Sequence, residues 1–176
     1  MTTSPCSWLL VGDPAVGKSE LALELINRGQ RLIADDAPEF ANIAPEMLEG
    51  FCPPLLRDFL EVRGLGILNI RAMFGESAVR QRKRLNLIVN LRTLDAAGLL
   101  RLDRLGGPQS ARTILGVNIP EVTMPVAPGR NLAILVEAAV RSQVQRSRGY
   151  DAGADFTERQ ARALQGLPPA GDPEWP

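Results

Sequence analysis

Histidine is absent from the 176 residues, which removes imidazole as base, nucleophile or metal ligand. Proton transfer, if there is any, falls to carboxylates or lysine. Only two cysteines occur, Cys6 and Cys52, without metal-ligand spacing and far below the density of a secreted disulfide scaffold, so both are expected as free thiols in a reducing cytoplasm. No excess of either charge exists: 20 Lys plus Arg balance 20 Asp plus Glu. A nucleic-acid or anionic-membrane partner is therefore not expected, and any phosphate site must be built locally. No apolar run reaches the length of a membrane span, and Met1 to Trp8 does not read as a targeting segment. Hydrophobic residues nevertheless make up 45% of the chain, enough for one core at this length.

What the chain does contain begins with Gly12-Asp13-Pro14-Ala15-Val16-Gly17-Lys18-Ser19. An apolar run, Ser7 to Val11, precedes it, and helical spacing at Leu21, Leu23, Leu25 and Ile26 follows it. Strand, glycine loop and helix in that order form a phosphate-binding loop. Backbone N–H groups at a helix start converge on an anion, glycine permits close approach, Lys18 reaches the outer phosphates and the Ser19 hydroxyl suits Mg²⁺. ATP with Mg²⁺ is the expected ligand pair. Pro14 removes one donor from this loop and Ala15 replaces a more flexible residue.

After Gly29, Arg31 to Ala34 is expected as a short strand that delivers Asp35 and Asp36 at its end. That pair is either a solvated turn or the carboxylates that phosphoryl transfer needs near acceptor and metal. Two like charges beside an anion would push one pKa upward. Glu39 to Ile43 is a further possible strand. Leu55 to Val62 has a helical apolar pattern, in which Glu61 beside Arg63 reads as a surface ion pair. Leu85 to Leu91 is expected as a strand, Ala111 to Val126 as a strand or hairpin broken by Gly116 and Pro120, and Leu132 to Arg148 as the longest helix. Arg104 and Arg130 read as loop salt bridges, and Arg80, Arg82, Lys83 and Arg84 as a solvated basic run or a face toward a partner or phosphates. The expected organisation is a single α/β domain over residues 1–166 and a disordered Pro-rich tail over 167–176.

Several longer stretches then carry a resemblance. Leu32 to Asp36, Glu61 to Arg71 (Glu-Val-Arg-Gly-Leu-Gly-Ile-Leu-Asn-Ile-Arg), Met73 to Arg80, Asp103 to Gly106 and Met124 to Glu137 occur in the order found in the HPr kinase/phosphorylase family. From about Trp8 to Phe156 the chain resembles that family's catalytic domain. The resemblance implies a P-loop-containing α/β fold with a mixed sheet and flanking helices, and an ATP- and Mg²⁺-dependent serine kinase of HPr or an HPr-like phosphocarrier of the phosphotransferase system, cytoplasmic and hexameric. It assigns phosphate contact to Lys18, Mg²⁺ to Ser19 and Glu61, the general base to Asp36 with Asp35 beside it, and a catalytic arginine to Arg104. Glu61 to Ile70 would serve both reaction directions and Pro125 to Arg130 dephosphorylation. The family's N-terminal domain and an upstream histidine have no counterpart here, and Arg28-Gly29-Gln30-Arg31 stands where the family has Arg-Gly-His-Arg. The kinase direction is therefore expected over the reverse phosphorolysis. The residues also admit a nucleotide-sensing module without transfer, or a P-loop kinase of another protein or a small molecule.

Overall fold

The computed structural model describes residues 6–94 and 110–166. Arg104 and the expected tail at 167–176 lie outside the described residues. Among those described, the strands are β1 (Ser7–Gly12), β2 (Glu39–Ala44), β3 (Met47–Phe51), β4 (Phe59–Val62), β5 (Gly66–Asn69), β6 (Arg82–Arg92), β7 (Ser110–Ile114) and β8 (Val117–Pro125); the helices are α1 (Lys18–Asn27), α2 (Ile70–Phe74), α3 (Leu132–Ser147) and α4 (Ala152–Leu164). β1, β6 and β8 run parallel, while β2, β3 and β7 join antiparallel, so the sheet is mixed. β4 and β5 form a separate hairpin.

The long strand β6 holds the molecule together because its apolar residues feed two cores. Leu87, Val89 and Leu91 pack with Leu21 and Leu25 of α1 and with Ala133, Val136 and Val140 of α3. Leu85 and Ile88 pack instead with Leu48, Val117 and Ile119. β1 divides in the same way: Trp8 and Leu10 join the first cluster, Leu9 and Val11 the other. A strand apolar on both sides is what a parallel pair covered on both faces requires. A third cluster, Ile26, Leu32, Leu60, Val62, Ile70 and Ala78, fastens the β4–β5 hairpin to the far side of α1.

Two local expectations are corrected. Leu55 to Val62 is not helical: only Pro54–Leu56 makes a 3₁₀ turn, Asp58 takes φ 69, and β4 follows. The period there is two, with Leu60 and Val62 inward and Phe59 and Glu61 outward, and this alternation outweighs the apolar count. Residues 31–34 do not form a full strand either. Leu32 makes one parallel bridge with Val79, accepting from the Arg80 N–H at 2.7 Å and donating to the Ala78 carbonyl at 2.8 Å. The expected break at Gly116 is the turn between β7 and β8, whereas Pro120 sits within β8, opposite Ala111.

One buried acid ties the sheet edge together. Glu121 of β8 accepts from Asn90 at 2.7 Å and from Arg112 of β7 at 2.8 Å through both of its oxygens. Burial pushes this carboxyl up, but the Arg112 and Asn90 hydrogen bonds and the Arg112 charge outweigh it and hold the pKa below the usual carboxylate range. With a depressed folded pKa, the contribution to stability is present above the unfolded value and lost as pH falls through the folded one. Arg112→Ala is expected to cost about 1–2 kcal/mol, because Arg112 is half exposed and solvent screens the pair while the buried Glu121 loses two charge-assisted hydrogen bonds. Urea denaturation at neutral pH and again well below pH 4 checks this; the loss shrinks in acid.

Candidate active site

β1 ends at Gly12 because the chain turns there into a conformation closed to other residues. Gly12 has φ 150, and a Cβ on it would collide with the Leu91 carbonyl oxygen and lie 3.1 Å from the Leu91 Cβ. The loop then crosses to Gly17, which has φ 90 and precedes α1 with no side chain capping the helix. The amides of the first turn are thus left facing the loop, as an anion site requires. Lys18 folds over the same loop and donates from Nζ to the carbonyls of Gly12 at 3.2 Å and Asp13 at 3.0 Å. Ser19 sits on the first turn of α1, partly buried.

The segment after α1 brings the acidic pair to the same opening. Gly12, Lys18, Asp35 and Asp36 line a single cavity of about 640 Å³. Asp35 is half-buried and anchored, its Oδ2 accepting from the Glu61 backbone N–H at 2.9 Å, while Asp36 is exposed. That hydrogen bond crosses from the Asp35 loop to β4, so it brings Glu61 to the pair. Burial raises the Asp35 pKa; the Glu61 N–H pulls it back, and the charges of Asp36 and Glu61 push it up further. Like-charge repulsion is thus present, but desolvation is the larger cause.

The other sequence candidates divide. Arg130 donates to the Pro125 carbonyl at 3.4 Å, just before the Asn131 cap of α3. Arg82 pairs with Glu49 at 3.4 Å and lies over the Phe51 ring, so the basic run does not act as one face. Arg80 and Lys83 instead line the cavity, together with Arg31, which the sequence does not single out. Its signal is positional: the parallel Leu32 to Val79 bridge sets residue 31 beside residue 78 and residue 33 beside residue 80. No group of three or more Cys, Asp or Glu side chains able to hold a metal alone occurs among the described residues. A Ser19 hydroxyl and one carboxylate do suit Mg²⁺, which normally completes its shell with phosphate oxygens and water.

With this geometry in place, the HPr serine kinase C-terminal domain family matches residues 4–160. The chain belongs to that family. It is 55% identical over 157 residues to the HPr kinase/phosphorylase of Chromobacterium violaceum, covering 89% of this chain and 49% of that protein. The HPr kinase/phosphorylase of Neisseria meningitidis serogroup B is 56% identical over the same shares. The chain thus spans about half the length of these relatives. In structure it resembles the HPr(Ser) kinase/phosphatase of Coxiella burnetii, with a TM-score of 0.76 and 34% identity, over 87% of this chain and 92% of that one. The family and its mixed α/β architecture agree with the expectation from the ordered motifs.

Gly12→Ala should cost more than about 2 kcal/mol through strain and collision, read as a fall in melting temperature together with loss of nucleotide affinity. A second prediction concerns Asp35. Its raised folded pKa means that the native state holds more protons than the unfolded chain between the ordinary value near 3.8 and the folded value. Its contribution to stability therefore declines as pH rises through that window. Asp35→Asn keeps an oxygen for the Glu61 N–H, so it is expected to raise the melting temperature at pH 7, with the gain disappearing below about pH 3.8.

Proposed function

We propose that this chain is the phosphoryl-transfer domain of an ATP- and Mg²⁺-dependent serine kinase whose acceptor is HPr or an HPr-like phosphocarrier. The observation that carries the proposal is the meeting of the Gly12 to Ser19 loop and the Asp35-Asp36 pair on one cavity, with Glu61 tied to the pair. In this reading Gly12 to Ser19 cradle the nucleotide phosphates. Lys18 exchanges the Gly12 and Asp13 carbonyls for phosphate oxygens. Ser19 and Glu61 hold Mg²⁺, which would neutralise charge on the phosphates when bound. Asp36, exposed at the cavity, accepts the proton from the acceptor serine as its Oγ bonds to the γ-phosphorus and the bond to ADP breaks. Asp35 fixes the pair in place through the Glu61 N–H. Arg104 is assigned transition-state charge stabilisation by the family resemblance alone, as is the hexamer.

A second reading, a nucleotide-sensing module without transfer, is favoured by one feature of the loop. Pro14 has no N–H to give, and Ala15 is held at φ 62, so the cradle is stiffer and has one donor fewer. The absence of transfer to any acceptor alongside firm ATP binding would select it.

The test is transfer from ATP to HPr in the presence of Mg²⁺, read as phosphoserine by mass spectrometry. Asp36→Asn is expected to lower kcat by about 10²–10⁴, the usual contribution of a general base. Its ATP affinity by calorimetry should stay within about threefold. Lys18→Ala should lose both. Transfer by Lys18→Ala at the original rate would sink the reading.

A further inference from the structure

β1 is paired on one side only. Its partner is β6, and among the described residues the backbone of Trp8 to Val11 makes no other hydrogen bond. Successive residues of a strand turn their N–H and C=O groups to opposite edges, so alternate residues of β1 offer theirs to the open side. The side chains show the same imbalance. Trp8, Leu9 and Leu10 stand opposite Leu87, Ile88 and Val89 and enter the same two cores. The three β6 residues are fully buried, whereas the three on β1 are only partly buried. Four consecutive apolar residues, Trp8 to Val11, suit a strand with neighbours on both edges, and an open apolar edge is what folded sheets otherwise cover.

The cavity of the candidate site runs along that open edge. Every residue from Cys6 to Gly12 lines it, Trp8 and Leu10 as well as Leu9 and Val11. These two pairs point to opposite faces of the sheet, and a space that touches both lies beside the edge. The wall facing β1 is the segment from Arg28 to Asp36, whose middle is fastened by the Leu32 to Val79 bridge. Leu25, Ile26 and Phe40 bring all three core clusters to the cavity surface. The six residues of β1 span about 20 Å. The open edge ends at the phosphate loop, where Lys18 Nζ donates to the Gly12 carbonyl at 3.2 Å.

We infer that this slot is a strand position, filled by an extended apolar segment of polypeptide that adds to β1 through backbone hydrogen bonds. β1 lies inside a half-enclosed cavity, so a second folded copy of the chain cannot bring its own β1 against it. The occupant is a segment free of any sheet of its own. Its side chains are apolar at successive positions, one set meeting Trp8, Leu10 and Leu25 and the other Leu9, Val11 and Phe40. This chain matches about half the length of its relatives, and the occupant is assigned to the other half of that length. The inference does not rest on the kinase reading above.

The probe is a set of overlapping synthetic peptides of about 15 residues, long enough for any ordinary strand. They cover the part of the Chromobacterium violaceum protein outside the 157 matched residues and are titrated calorimetrically into the intact chain. Peptides from one region of that sequence are expected to bind. Amide exchange followed by NMR should then slow by at least about tenfold at alternate amides among residues 8–12. The bound peptide is also made with N-methyl groups on alternate central residues, in both phases. At least one phase should lose about tenfold or more in affinity with every side chain kept. No substitution in the protein is needed, so misfolding cannot imitate the result. Failure of every peptide to bind at about 0.1 mM overturns the inference. Binding that leaves exchange at residues 8–12 unchanged overturns it too, as does full affinity in both N-methylated phases. ATP and HPr take no part in these titrations, so they decide the strand position whether or not the chain transfers phosphate.

Discussion

Everything at the site depends on the close approach of Gly12 to the Leu91 carbonyl of β6. Because no side chain fits between the two strands there, the chain leaves β1 at that residue and in that direction. α1 then starts at Lys18 with its first amides uncapped, and its buried face, Leu21 and Leu25, lands on Leu87, Val89 and Leu91. The loop is thus held between a strand buried on both faces and a helix packed on that same strand. Such preorganisation places donors before a ligand arrives, which is how an anion site avoids reorganising when it binds.

The acidic half of the site is fixed by weaker means. Leu32 makes a single bridge, and Asp35 is held by one hydrogen bond from the Glu61 amide. These contacts border the third cluster, which α1 shares through Ile26. The glycine-loop end and the acidic end are therefore joined by neighbouring faces of one ten-residue helix. Burial at Asp35 and exposure at Asp36 give two adjacent carboxylates different environments, the usual route to different roles.

Much of this was legible in the sequence, for particular reasons. The Gly12 to Ser19 pattern names its own backbone geometry, and the apolar run Leu85 to Leu91 reads as a strand. The ordered motifs pointed to the family that the chain matches. What was not legible depended on long-range pairing. Leu55 to Val62 counts as apolar enough for a helix, and only the Leu60 and Val62 burial on a hairpin shows the period to be two. Arg31 gains its setting from Val79, almost fifty positions away. α4 carries a local signal of its own: Asp151 caps it, accepting from the Gly153 and Ala154 amides, with Asp155 in its first turn.

The most direct test of the account is a crystal structure with Mg²⁺ and a non-hydrolysable ATP analogue. The account predicts the terminal phosphate on the Gly12 to Ser19 loop, Lys18 Nζ within about 3 Å of its oxygens, and the Asp36 carboxylate facing it with room for a serine hydroxyl between. A nucleotide bound on the loop with its terminal phosphate turned away from the Asp35-Asp36 side of the cavity would contradict it.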